Sequence, residues 1–296
     1  MLSNRHRRSN VVELGLGSYS VGADVLARLA ALPGVAEVCE AARGQIDQLL
    51  FDRALRAQGG ALATEVAYAV AHSSAVLEGA DISYDGFRSG AALDSSPIGR
   101  VGDAALRVQR ELPSLVEVWR IAPLQALARL HSVAAVGFVE TDQLGRPRTE
   151  VNETSTGEPG AGLDDPLRLG NAPGAADVAS RLDMLVGLLT RSTDAPALVV
   201  GAVVHGELGV LRPFAWGSGL VAHAAGRLTL AARVLDPDFL VPVDAGIVAM
   251  GRPKYVAALR GFASGTPEGL ASWLNFHADA AAVAARQAHT LLTSLR

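Results

Sequence analysis

Apolar residues recur at three- and four-residue spacing along most of the chain. The rhythm runs through "GADVLARLAALPGVAEVCEAARGQIDQLLFDRALRAQ", "SLVEVWRIAPLQALARLHSVAA", "AADVASRLDMLVGLLTRS" and "LASWLNFHADAAAVAARQAHTLLTSL". That is the period of one helix face. Alanine and leucine, both strong helix formers, fill the same stretches. The strict alternation of a half-buried strand is scarce, and no fixed-period repeat suggests a solenoid. The pattern predicts an all-α fold.

One segment breaks the rhythm. From Thr141 to Ala176 the chain is rich in Gly, Pro and acidic residues, which predicts a long surface loop with a short β-hairpin at "LGRPR". Loops of this length inside a compact domain usually carry function or lack order. The organisation is an N-terminal helical region over 1–120 and a core over 121–296. Neither half looks self-sufficient, so one integrated domain is expected.

The core centres on a helix, a loop and a second helix. "APALVVGAVVHGELGVL" is apolar almost all round, which predicts a helix buried on most faces, with Pro196 tolerated near its start. Pro213 stops that helix, because proline removes a hydrogen bond and clashes with the preceding turn. The next helix is expected from about Gly219, with Ser218 as its N-cap, and ends near "LDPD". Between them lies "RPFAWGSGLVAH". Free backbone N–H groups at a helix start, with the helix dipole behind them, favour a phosphate or carboxylate at Gly217, Ser218 and Gly219. Arg212 at the edge suits an anion clamp.

Bulk numbers narrow the rest. Over 296 residues, hydrophobic types make up 49% and charged types 19%, which suits a buried core and argues against disorder. A net charge of −4 gives nucleic-acid binding no support, and the basic "NRHRR" reads as a solvated terminus. Cys39 is the only cysteine, so no intrachain disulfide forms. There is no signal-peptide pattern, and no apolar run approaches the about 20 residues of a membrane span. These features lead to the expectation of a soluble cytoplasmic protein.

On the residues "RPFAWGSGLVAH" the chain resembles the Fic (Fido) family, whose motif reads His-Pro-Phe-x-Asp/Glu-Gly-Asn-Gly-Arg-x-x-Arg between two central helices. Pro213, Phe214, Gly217 and Gly219 match in register. "LRLGNAPGAADVASRLDMLVGLL" and "YVAALRGFASGTPEGLASWLNFHADA" look like the family's flanking helices, so the likeness spans roughly residues 120 to 285. Upstream, "SSAVLEG" resembles the family's inhibitory helix, with Ser74, Glu78 and Gly79 in place. The resemblance implies transfer of AMP from ATP to a protein hydroxyl, a Glu78 turned toward the nucleotide site, and members that often pair through helices. A bottom-up oddity agrees: Glu78 sits in a helix's last turn before a capping Gly79, where negative charge opposes the dipole.

The departures weigh more. The position of the family's general base holds Arg212, which stays protonated. The metal ligand is replaced by Trp216, an indole with no oxygen for Mg²⁺. Ser218 stands for the phosphate-holding Asn, Leu220 for the first arginine and His223 for the second. Acid–base catalysis alone is commonly worth about 10²–10⁴ in rate, so transfer activity is expected to be lost. Two readings of Arg212 stand: an anion clamp, or an ion pair with Glu78 that fills the pocket. Trp216 either closes the pocket or stacks on a base. His223 contacts a ligand or pairs with Glu78, and His205 resembles a packing histidine of the family.

Other patterns fail. "VVELGLGSYSVG" places Ser20 where a dinucleotide fingerprint needs its third glycine. "HGE" lacks the cysteine pair of a zinc deaminase, and "WGSGL" is no nucleophile elbow. Histidines 6, 72, 131, 277 and 289 show no metal-ligand spacing. The expectation is a degenerate Fic-domain pseudoenzyme acting as a regulatory or protein-binding module. No cofactor is required and no metal is held; ATP, with or without Mg²⁺, is the candidate ligand at Arg212, Gly217, Ser218, Gly219 and His223. Expected partners are an unidentified protein and, as one option, a second copy. Two alternatives remain open: an atypical nucleotidyl- or phosphotransferase with a displaced base, and a purely structural or oligomerisation domain.

Overall fold

A computed structural model describes residues 24–149 and 165–295. Among the described residues the chain forms twelve α-helices: α1 Val25–Ala30, α2 Val35–Leu50, α3 Leu55–Leu77, α4 Tyr84–Ser89, α5 Pro97–Ile121, α6 Pro123–Ala134, α7 Ala175–Thr190, α8 Ala197–Leu211, α9 Ser218–Ala232, α10 Val243–Met250, α11 Arg252–Ala263 and α12 Pro267–Ser294. A single 3₁₀ turn, Thr141–Gln143, follows α6. The fold is all-α, as the periodicity predicts.

Two continuous helical patterns are cut where periodicity alone shows no break. The first divides at Gly34, whose left-handed backbone (φ 78°) starts α2, and again across residues 51–54. The second divides at Ala122, beyond which Pro123 opens α6 at a position where its missing N–H costs nothing. The β-hairpin expected at "LGRPR" does not form among the described residues, where the one ladder contact is an isolated bridge between Val136 and Val139. Arg148 turns inward instead and is 3% exposed. Residues 150–164, the "NRHRR" cluster, His6 and the Gly15–Ser20 pattern lie outside the described residues.

α8 is the axis of the molecule. Every one of its residues except Ala197 and Val210 is buried, as an all-round apolar helix requires. Its first half packs into a cluster built by α1, α2, much of α3 and α10–α12. Its second half packs with the end of α3, with α5–α7 and with α9. Both clusters therefore draw side chains from before and after residue 120. α8 and α9 approach closely because glycines face each other: a Cβ on Gly201 would stand 3.2 Å from the Gly226 carbonyl and 2.9 Å from Leu230. The loop 212–217 joins the two helices of this tight hairpin and is itself mostly buried.

Candidate functional site

α8 ends at Arg212, which adopts the left-handed conformation (φ 46°, ψ 65°). A helix end leaves carbonyls without partners, and Arg148 supplies them. Its Nε donates to the Arg212 carbonyl at 2.7 Å, its Nη2 to the Leu211 carbonyl at 2.8 Å, and its backbone N–H to the Pro213 carbonyl at 2.8 Å. The loop then buries Phe214 against His131, with rings stacked 4.1 Å apart. Burial pushes His131 down to about 4, and its Nδ1 accepts the Gly145 N–H at 2.9 Å. Trp216 stacks on Phe138 at 3.6 Å, and Arg100 covers the Phe138 ring.

The N-cap of α9 is Gly217, not Ser218. Gly217 takes φ 72°, which an L side chain rarely adopts, and so begins the helix one residue early. Ser218 is the first helical residue. Its hydroxyl accepts the Phe214 N–H at 3.0 Å and closes the loop on itself. Gly219 is the closest point of approach. A Cβ built there would lie 1.9 Å from Glu78 Oε1 and 2.5 Å from Oε2, so the Glu78 carboxylate occupies the space a side chain would fill. Glu78 caps α3, and Gly79 (φ 88°) turns the chain away behind it, with the Ala80 N–H bonded back to the Ala75 carbonyl at 2.9 Å. The charge that the end of α3 disfavours is thus placed at the start of α9, where the helix dipole favours it.

The other positions of the motif sort differently. Leu220 is buried in the second core cluster. His223 is 3% exposed and meets Asp244, its Nδ1 2.7 Å from Oδ1. Burial lowers its pKa, Asp244 outweighs that with a smaller contribution from Glu78, and the net shift is upward. His223 does not line the cavity beside the cradle. His205 packs beside it at 4.4 Å between ring centres and reaches the Tyr255 hydroxyl at 2.9 Å. Burial holds His205 well below its usual range. Ser74, one turn before Glu78 on the same face of α3, is buried and shares a small internal space with Gln109, Arg227 and Asp244. Glu207 of "HGE" forms a buried ion pair with Arg181 at 2.7 Å.

Arg212 reaches outward to the segment that follows the long loop. Its Nη1 is 3.4 Å from Asp165, and its Nη2 donates to the Gly170 carbonyl. Asp165, Pro166, Leu167 and Leu169 line the cavity together with Glu78, Tyr255 and the cradle. About 20 Å³ is left between them, room for a water but not for a nucleotide. Among the described residues no three His, Cys, Asp or Glu side chains could share a metal ion. Trp216 offers no oxygen to a metal ion. Arg148, Asp165 and Asp244 were invisible to sequence reasoning: each lies far along the chain from the residue it serves.

No family model matches the sequence, and no curated protein does. Solved structures do match. A Fic family protein from Desulfovibrio desulfuricans G20 superimposes with a TM-score of 0.67 at 20% identity, covering 89% of this chain and 76% of that one. Fic-1 (residues 134–508) from C. elegans superimposes with a TM-score of 0.64 at 16% identity, covering 88% and 74%. Together these likenesses establish that this chain has the helical fold of the Fic family proteins.

Proposed function

We infer that this protein is a degenerate Fic-domain pseudoenzyme: a regulatory or protein-binding module whose anion cradle outlasts the chemistry it once served. The observation that carries this reading is the Glu78 carboxylate set against Gly219. A chain with no anion site at the start of α9 would gain little from bringing a glutamate there. The groups for turnover are missing on the same surface. Arg212 cannot act as a general base, and Trp216 stacks on Phe138 rather than offering a ligand to a metal. The candidate ligand is ATP, and the partner a protein that recognises the module in its closed or opened state. No helix among the described residues is long and apolar enough to cross a membrane, and a cytoplasmic setting is part of the proposal.

Isothermal titration calorimetry with ATP, with and without Mg²⁺, tests it. Wild type should bind weakly or not at all, Glu78→Gly should bind measurably, and neither should transfer nucleotide to itself or to a partner. Nucleotide transfer abolished by Arg212→Ala would overturn the pseudoenzyme reading. Silence from both proteins in the calorimeter would mean that removing Glu78 alone does not open a ligand site.

A further inference from the structure

The segment from Asp165 to Pro173 crosses the mouth of the cradle and is fastened there by arginines. Arg148 reaches the Pro173 carbonyl at 2.6 Å, Arg212 the Gly170 carbonyl, Arg252 the Pro166 carbonyl and Arg260 the Arg168 carbonyl at 2.5 Å. Those ties go to backbone oxygens and are indifferent to the strap's side chains. One side chain is nevertheless aimed with care. Asp165 accepts the Leu169 and Gly170 N–H groups at 2.9 Å each, one on either oxygen, and these bonds hold its carboxylate 3.4 Å from Arg212. Arg168 within the strap sits in the left-handed region (φ 53°), a conformation a non-glycine residue keeps only when its surroundings enforce it.

We propose that Asp165 is a second built-in anion of this site, occupying Arg212 as Glu78 occupies the glycine cradle. The proposal deepens the reading of the cradle as an anion site and rests on it. Two carboxylates from different segments line one cavity, Glu78 from the end of α3 and Asp165 from the strap. Each is set against a group that attracts negative charge: a helix start in one case, a largely buried guanidinium in the other. Displacing Glu78 alone leaves Arg212 engaged and the strap closed. The ligand that opens the site therefore carries two or more anionic groups, one for each position. Phosphate chains meet that requirement, and pyrophosphate is the smallest probe of it.

The test uses the full chain with Asp165→Asn, Glu78→Gly and the double variant. Asp165→Asn keeps an acceptor for the strap's own turn and removes the charge facing Arg212; Asp165→Ala removes both. Site-resolved labelling of Arg212 with phenylglyoxal, read by mass spectrometry, reports the latch without any ligand. Labelling should rise about tenfold in Asp165→Asn, the scale of one charge-assisted contact, and should stay low in Glu78→Gly. Pyrophosphate should bind the double variant about tenfold tighter than Glu78→Gly. Arg212 protected equally in wild type, Asp165→Asn and Asp165→Ala overturns the latch, even where Glu78→Gly binds pyrophosphate. Arg212 exposed by Asp165→Asn with no pyrophosphate bound by any variant keeps the latch and removes the anion-site reading instead.

Discussion

Gly219 shows how one missing side chain organises a site. Its Cα is the floor on which the Glu78 carboxylate rests, and any Cβ there would overlap Oε1. Gly219→Ala should therefore force Glu78 out or push α3 away, at a cost of roughly 1–3 kcal/mol, the usual range for overpacking. In a Glu78→Ala background the same change should cost nothing, since alanine is the better helix former. Urea denaturation of the four proteins of this cycle measures the coupling, and additive effects would mean that the contact is absent in solution. The cradle and Arg212 were legible in the sequence because their spacing is local, six residues of loop and a helix start, and Glu78 because "SSAVLEG" resembles the family's inhibitory helix. Asp165 and Arg148 were not. Arg148 meets Arg212 across 64 residues of chain, and nothing in the local pattern of "GRPR" distinguishes an inward arginine from a solvated one. His223 was legible as a position, but its contact with Asp244 was not, because Asp244 arrives from α10.

Helices were readable as apolar rhythm, and their breaks were not. The rhythm continues through residues 31–34, 51–54 and 122 because the helices on both sides face the same core, so turn chemistry had to be noticed against an unbroken pattern. Glycines within helices carry the complementary information. Gly246 in α10 lies directly on α12: a Cβ there would stand 2.0 Å from the Ala280 carbonyl, and backbone cannot step aside as a side chain can. Gly44 in α2 has nothing within 4 Å. Gly246→Ala should then destabilise the protein by about 3 kcal/mol or more, and Gly44→Ala should stabilise it by up to about 1 kcal/mol. Thermal melts of the two variants give shifts of opposite sign. A Gly246→Ala protein as stable as wild type would show that α10 and α12 stand further apart than the structure places them.

At the scale of the molecule, four buried histidines come from four different helices: His131 from α6, His205 from α8, His223 from α9 and His277 from α12. The last three cluster where the two core regions meet around α8, with ring centres of His205 and His277 5.4 Å apart. Burial pushes both His131 and His277 down to about 4 and holds His205 well below its usual range. A histidine whose folded pKa is depressed favours the folded state fully above its unfolded value near 6.5, and that contribution is lost as pH falls through the folded value. His223 works the other way, its net upward shift adding stability on acidification while Asp244 stays ionised. The gain from His223 is complete once pH has fallen to its unfolded value near 6.5, so below that the three depressed histidines set the direction, and the fold should weaken between pH 6.5 and 4. His277 alone accounts for roughly 2 kcal/mol of that loss between pH 7 and pH 5. Its ring packs against Trp273 and His205, so His277→Phe keeps the shape and removes the titration. Urea midpoints at pH 7 and pH 5 should separate widely for wild type and less for His277→Phe, and equal separation in both would mean that His277 is reached by solvent before the fold opens.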